Sequence, residues 1–298
     1  IPITDDDVAD APAPPRNTKG VFAYGDAGGY TAISNKVSNV GVVASDTAGV
    51  GTARGYVAAA EYSSDKGIFG FGTTGSNVSM TNLVSNAGVI ATDTTGVGTA
   101  RNGVGAARYG GDKGVFAYGI TGSAVSLKNL VSNVGVMATD VTGVGTARYY
   151  PGACEYSANQ DKAIFGYGNP GNLSMTNLVS NAGVIATDVT GVGTGRYSLA
   201  ACAYSSDKGI FGYGSSGSDV SMTNLVTNVG VVGTDVTGVG TARNYVAATQ
   251  YGQDKGLFGF GDTSTQVGMT NLISNVGVVA TDVTAVGTAR SAAAASSY

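Results

Sequence analysis

The tetrapeptide Gly-Thr-Ala/Gly-Arg occurs six times, ending at Arg54, Arg101, Arg148, Arg196, Arg243 and Arg290, with successive spacings of 47, 47, 48, 47 and 47 residues. Self-similarity at a fixed period of this length constrains a fold more than any local signal. Each unit must be one supersecondary piece that buries its apolar surface against its neighbours. Three further motifs keep the same order and period. Lys-Gly/Ala-Val/Ile/Leu-Phe-Gly/Ala-Tyr/Phe-Gly begins at Lys19, Lys66, Lys113, Lys162, Lys208 and Lys255. A segment close to Thr-Asn-Leu-Val-Ser-Asn ends at Asn39, Asn86, Asn133, Asn181, Asn228 and Asn275. Val/Ala-Gly-Val-Val/Ile/Met-x-Thr/Ser-Asp ends at Asp46, Asp93, Asp140, Asp188, Asp235 and Asp282.

Each unit predicts four short strands. In the unit spanning 54–101, run a covers Val57 to Tyr62 and run b Lys66 to Gly72, where Phe69 and Phe71 share one face. Run c covers Val78 to Asn86 with partial alternation, and Asn86-Ala87-Gly88 is a tight turn into run d, Val89 to Asp93. β-branched and aromatic content favours strands, and the glycine punctuation excludes long helices. Four strands per unit of this length is the signature of a β-propeller blade. The expected fold is therefore all-β, a six-bladed β-propeller with four-stranded antiparallel blades over residues 18–298. The chain ends support the count. The first unit lacks run a, and residues 291–298 read as a run a with nothing after it. A C-terminal strand completing the first blade would close the ring and leave no large open edge.

The Arg opening run a, the small Ala pair within it and the Gly-x-Gly ending run b resemble the kelch propellers, in which a C-terminal strand also closes the first blade. The sequence departs from that pattern in two places: Gly-Tyr-Gly replaces the adjacent glycine pair, and the Trp of run d is missing. The near-identity of the units (Asp-Lys-Gly-Ile-Phe-Gly-Tyr-Gly, Thr-Asn-Leu-Val-Ser-Asn, Gly-Val-Gly-Thr-Ala-Arg) also resembles repeat proteins of tailed phages of aquatic bacteria. That likeness implies a virion or extracellular location.

Composition narrows the chemistry. There is no His, which removes imidazole bases and the commonest zinc ligand, and no cofactor is expected. A net charge of −4 gives nucleic acid no basic footprint, and no run of about 18 apolar residues is available for membrane insertion. Of the 36 charged residues, 23 recur with the repeat: the six Arg, six Lys, six run-d Asp and five Asp that precede a Lys. Such residues read as structural, with each Arg bonding carbonyls or the run-d Asp. The alternative, a ring of six carboxylates holding a cation, lacks the dense acidic spacing of a calcium loop. The recurring Phe of run b and Tyr of run a read as core between blades. Cys154 and Cys202 occupy a small-residue slot filled elsewhere by Ala60, Ala107, Thr249 and Ser296, and read as free buried thiols.

The positions at which the units differ are the candidate site. In an antiparallel meander the b–c and d–a connections leave the same face, and both vary. Together they place Tyr30, Tyr56, Tyr149, Tyr150, Tyr197 and Tyr245 among Ser, Thr, Asn and Gly on that face. Such a surface suits carbohydrate or protein. Residues 1–17, with Asp5, Asp6, Asp7 and Asp10 followed by three prolines, predict an extended arm. The arm has neither the basic start nor the apolar core of a signal peptide, and its opening Ile hints at proteolytic maturation or at a piece of a longer chain. It is a linker or an arm docking on neighbouring subunits. The expected function is non-enzymatic: a virion surface or tail protein binding host glycan or neighbouring virion subunits. A cellular or secreted kelch-like lectin or interaction scaffold is the alternative, and a glycosidase using Glu61 and Glu155 a remote third.

Overall fold

The computed structural model describes residues 16–284 and 286–298. Asp5, Asp6, Asp7 and Asp10 lie outside the described residues, and the arm enters them only at Arg16 and Asn17. All regular structure is β, in six three-stranded antiparallel sheets without a helix among the described residues. The first sheet begins with β1 (Gly20–Ala23) and β2 (Ser34–Val37), and the second holds β3 (Ala58–Tyr62), β4 (Lys66–Gly70) and β5 (Thr81–Val84). The third comprises β6 (Gly105–Tyr109), β7 (Lys113–Ala117) and β8 (Lys128–Val131). The fourth comprises β9 (Gly152–Tyr156), β10 (Lys162–Gly168) and β11 (Leu173–Val179). β12 (Ala200–Tyr204), β13 (Lys208–Gly212) and β14 (Thr223–Val226) form the fifth. β15 (Ala247–Tyr251), β16 (Lys255–Asp262) and β17 (Gln266–Ile273) form the sixth. The chain then returns: β18 (Ala294–Ser297) pairs antiparallel with β1, Gly20 opposite Ser297 and Ala23 opposite Ala294. The two ends thus complete one sheet, as their complementary sequences predict.

The inner strands touch in cyclic order, β3 on β6, β6 on β9, β9 on β12, β12 on β15, β15 on β18 and β18 on β3. They form a circuit about one axis, an arrangement compatible with a propeller-like repeat. Each individual sheet remains open at its outer side.

The expectation of four regular strands per blade is corrected to three. The fourth run is present but meets the third strand only at two isolated bridges per sheet, Val84 opposite Ile90 and Thr81 opposite Thr94 in the second sheet. Three residues separate the partners on one side and four on the other, so the fourth run carries an extra residue, as in a β-bulge. Asn82 fills the gap: its Nδ2 donates to the Ala91 carbonyl (3.0 Å) and to Asp93 Oδ1 (2.8 Å). A side chain takes over the ladder bond that a regular strand would make, and Asn35, Asn129, Asn177, Asn224 and Asn271 do the same.

Neighbouring sheets are stapled by the repeated Arg. All six are fully buried, and each guanidinium lies 3.9–4.3 Å over the aromatic ring that ends the middle strand of the preceding sheet. Its Nη2 donates to the Asn of its own sheet at 2.5–2.7 Å. The stacked aromatics (Tyr24, Phe71, Tyr118, Tyr167, Tyr213, Phe260) all sit at φ of 60–68°, a conformation costing about 1–3 kcal/mol for a bulky residue. Cation–π stacking offsets part of that, about 2 kcal/mol where both groups are desolvated. The glycine that follows each aromatic donates its N–H to the next Arg carbonyl, from Gly25 to Arg54 (2.9 Å) around to Gly261 to Arg290 (3.0 Å). The repeated Phe and Tyr are core as expected: Phe22, Phe69, Phe116, Phe165, Phe211 and Phe258 are wholly buried. Glycines on the middle strands admit those rings, since a Cβ on Gly212 would stand 2.5 Å from Phe258.

Candidate functional site

The residue two places after each repeated Arg lies at one mouth of the axis: Tyr56, Gly103, Tyr150, Ser198, Tyr245 and Ala292. Large and small side chains alternate around this ring. The three Tyr converge, with ring centroids 5.6 Å apart for Tyr56 and Tyr150, 5.3 Å for Tyr56 and Tyr245, and 5.5 Å for Tyr150 and Tyr245. The intervening Gly, Ser and Ala make the room; a Cβ on Gly103 would lie 2.7 Å from the Tyr150 ring. All six positions take a left-handed φ of 49–63°. Backbone bonds run from repeat to repeat, Tyr150 N to Gly103 O (2.7 Å), Tyr245 N to Ser198 O (2.9 Å) and Tyr56 N to Ala292 O (2.9 Å) among them. The strained conformation is held by this belt.

The residues beside this mouth show that the two variable connections do share a face. Each residue directly after a repeated Arg bridges to the first residue of a b–c connection, Gly55 to Thr73, Asn102 to Ile120, Tyr149 to Asn169, Tyr197 to Ser215, Asn244 to Asp262 and Ser291 to Asp26. Tyr149 packs on Tyr150 at 5.1 Å and accepts a hydrogen bond from Asn169 Nδ2 (2.8 Å). Tyr150 donates its hydroxyl to Asn102 Oδ1 (3.3 Å), and Asn244 Nδ2 donates to Asp219 Oδ1 (2.8 Å). The Tyr30 ring covers Gly55, where a Cβ would lie 2.9 Å away. The six predicted Tyr therefore divide. Tyr56, Tyr150 and Tyr245 seal the axis; Tyr30, Tyr149 and Tyr197 stand around them, half-buried among amides and hydroxyls. Burial raises the phenols of the sealing set, Tyr56 to about 12 and Tyr150 and Tyr245 upward, and neighbouring tyrosines of the face add to the rise.

Behind the Tyr mouth the axis is lined by one alanine from every inner strand: Ala59, Ala106, Ala153, Ala201, Ala248 and Ala295. Two residues further on, the ring becomes Glu61, Arg108, Glu155, Ala203, Gln250 and Ser297, five residue types at one repeated position. Here the arm enters. Arg16 Nη1 donates to Glu155 Oε1 (2.6 Å) and Gln250 Oε1 (2.9 Å), and its Nε to the Ser206 carbonyl (2.8 Å). Arg108 donates to both oxygens of Glu155, and Asn17 Nδ2 to Ser297 Oγ (3.1 Å). Glu61 accepts from the Ser297 hydroxyl (2.9 Å). Burial alone would raise the Glu155 carboxyl, but Arg108 and Arg16 outweigh it and hold Glu155 down at about 2. A glycosidase acid needs the opposite shift.

The remaining candidates resolve simply. Cys154 and Cys202 are free, buried thiols, each pushed upward by burial, and each packs against a middle-strand glycine of the next sheet. The six run-d Asp are each held by a Thr and an Asn, as Asp93 is by Thr52 and Asn82. Burial raises them, and those bonds together with the nearby repeated Arg outweigh it and lower them. Among the described residues no three His, Cys, Asp or Glu come together as a metal cluster. No described helix is long and apolar enough to cross a membrane.

The alternation of Tyr with Gly, Ser and Ala at the mouth was written in the sequence, but only the ring arrangement gives it meaning. The Arg16 plug had no sequence signal beyond its being the last charge before the first repeat. A scan against protein-family models finds no match to the chain, and a search of curated proteins finds none either.

Proposed function

We propose that the chain is a non-enzymatic six-bladed β-propeller of virion surface or tail type, whose tyrosine-bearing face binds host-surface glycan or a neighbouring virion subunit. The cyclic order of the inner strands supports the propeller reading. The virion setting draws on the likeness of the repeats to those of tailed-phage proteins. One observation carries the binding role: the two connections that vary between repeats, b–c and d–a, meet on a single face, where half-buried Tyr rings stand among Asn, Ser and Thr. Rings of this kind stack on the apolar faces of sugars, and amides beside them bond to hydroxyls in both directions. The absence of His, the ionised Glu155 and the protonated thiols support a binding role over a catalytic one.

The test is binding of the labelled chain to a glycan array and to whole bacterial cells. We expect saturable binding that weakens about tenfold or more, roughly 1.4 kcal/mol, in Tyr149→Ala/Tyr197→Ala. These two rings stand outside the axial seal, so the variant keeps the fold. Binding unchanged in that variant removes the face from the site. No binding to any glycan or cell sinks the glycan reading and leaves a subunit partner.

A further inference from the structure

Every strongly exposed large hydrophobic residue among the described residues is a valine, and all sixteen lie in the stretch between the third strand and the repeated Arg. Val42, Val89, Val136, Val184, Val231 and Val278, the residues after the hairpin glycine, are 59–63% exposed in all six repeats. The hairpin tips add Val40, Val134, Val229 and Val276 at 67–70%. Isolated exposed apolar residues need no explanation, but a band of them repeated around a whole perimeter marks an interaction surface. The sheet edge beneath this band is the irregular fourth run, which leaves each sheet open to a neighbour.

Three observations identify the neighbour. First, the band occurs once per repeat, so a partner that uses all of it must meet the disc at six places; other copies of a six-fold disc do this, and a single ligand does not. Second, the stretches 38–51, 85–98, 132–145, 180–193, 227–240 and 274–287 carry one ionisable residue each, the run-d Asp. Each such Asp is held by Thr and Asn of the same molecule and faces a buried repeated Arg, 3.6–3.9 Å away in five of the six sheets, so its charge is offset within the molecule and like surfaces meet with little repulsion. Third, the perimeter supplies both halves of a contact. Between the fourth and fifth sheets it has a groove of about 200 Å³, lined by Leu178, Val189, Val192, Val229 and Val231. The groove lining carries no charged residue, and neither do the projecting valine hairpin tips.

We propose that copies of this chain associate edge to edge, the valine hairpin of one disc seating in the inter-sheet groove of the next. A contact of one surface with a different surface builds closed rings or open filaments in place of two-fold dimers. This surface is separate from the tyrosine face, and the inference does not depend on the function proposed above.

Sedimentation velocity and negative-stain microscopy of the full chain across a concentration series test it. We compare the wild type with Val40→Lys/Val134→Lys/Val229→Lys/Val276→Lys and with a chain lacking residues 1–15. The expected result is concentration-dependent growth of species beyond 29.5 kDa, association roughly tenfold or more weaker in the lysine variant, and growth retained without residues 1–15. A parallel Val→Thr series at the same four sites, with melting monitored, separates lost association from lost folding. A wild type that stays a single monomer at all concentrations overturns the proposal. So does a lysine variant that associates as well as the wild type, and so does association lost only on removing residues 1–15, which would place assembly in the arm.

Discussion

The two ends of the axis are closed by opposite means. At one, three phenol rings from alternate repeats meet within 5.3–5.6 Å, and the closure is made by residues of the repeats themselves. At the other, Arg16 from outside the repeats completes a buried ionic cluster with Glu155, Arg108 and Gln250. Between them the wall is six alanines, and there the repeats agree. Identical repeats suffice for a wall, whereas an end needs difference: six tyrosines would not fit the mouth, and six identical charges at the other end would repel. The aromatic end tolerates modest change because its contacts are numerous and weak. The ionic end concentrates its stability in few atoms and should fail abruptly.

Removing Glu155 should therefore have the largest effect. Glu155→Ala strips Arg16 and Arg108 of their hydrogen-bonded counter-charge and leaves only the neighbouring Glu61, a loss of about 3–5 kcal/mol by analogy with broken buried pairs. Denaturant melts of the variant and wild type measure it; a loss near zero would mean that water reaches this end freely. Acid should approach the same state. The Glu155 carboxyl lies below its ordinary 4.5, at about 2, so its stabilisation is fully present above pH 4.5 and disappears as pH falls toward 2. Proteolysis near Arg16, followed from pH 6 to pH 2, should accelerate through that window in the wild type. In Glu155→Gln the acceleration should be absent. A smaller loss, about 1–3 kcal/mol, follows Arg16→Ala, because Glu155 keeps Arg108 and only the bonds of the arm are gone. Cleavage of the arm should rise in this variant, and its melt should shift less than that of Glu155→Ala.

The same contrast explains what the sequence did and did not reveal. The six-fold period, the sheet shared by the chain ends, the slot that holds Cys154 and Cys202 and the common face of the variable connections all follow from position along the repeat, which a sequence displays directly. The fourth run was misjudged because its alternation looks like a strand; the extra residue and the Asn82 side chain that replaces the ladder bond are tertiary facts. Phe71 read as a strand residue on the same face as Phe69, since nothing in Gly-Phe-Gly says that the ring must turn to φ near 62° to lie under Arg101. Of the six tyrosines assigned to the face, Tyr56, Tyr150 and Tyr245 spend their rings on one another. Arg16 was invisible for a different reason. Its partners, Glu155 and Gln250, lie 139 and 234 residues away.

The smallest effects belong to the aromatic end, and they decide whether its rings act as a stack or as hydrogen-bonding groups. Tyr150→Ala removes a half-buried ring touching Tyr56, Tyr149 and Tyr245, and should cost about 2 kcal/mol, less than a fully buried aromatic. Tyr150→Phe keeps those ring contacts and loses only the 3.3 Å bond from its hydroxyl to Asn102. Asn102 stays bonded to Asn77 through its Nδ2, so about 0.5 kcal/mol or less should separate this variant from wild type. Alkali tests the end independently. Burial raises the Tyr56 phenol to about 12, so the neutral ring stabilises the fold fully below pH 10 and that stabilisation is lost as pH climbs toward 12. Tyrosinate absorbance at 295 nm should show a late-titrating class that shrinks in Tyr56→Phe. Should Tyr150→Phe instead cost as much as Tyr150→Ala, the mouth would be held by its hydroxyls, and both ends of the axis would be polar locks.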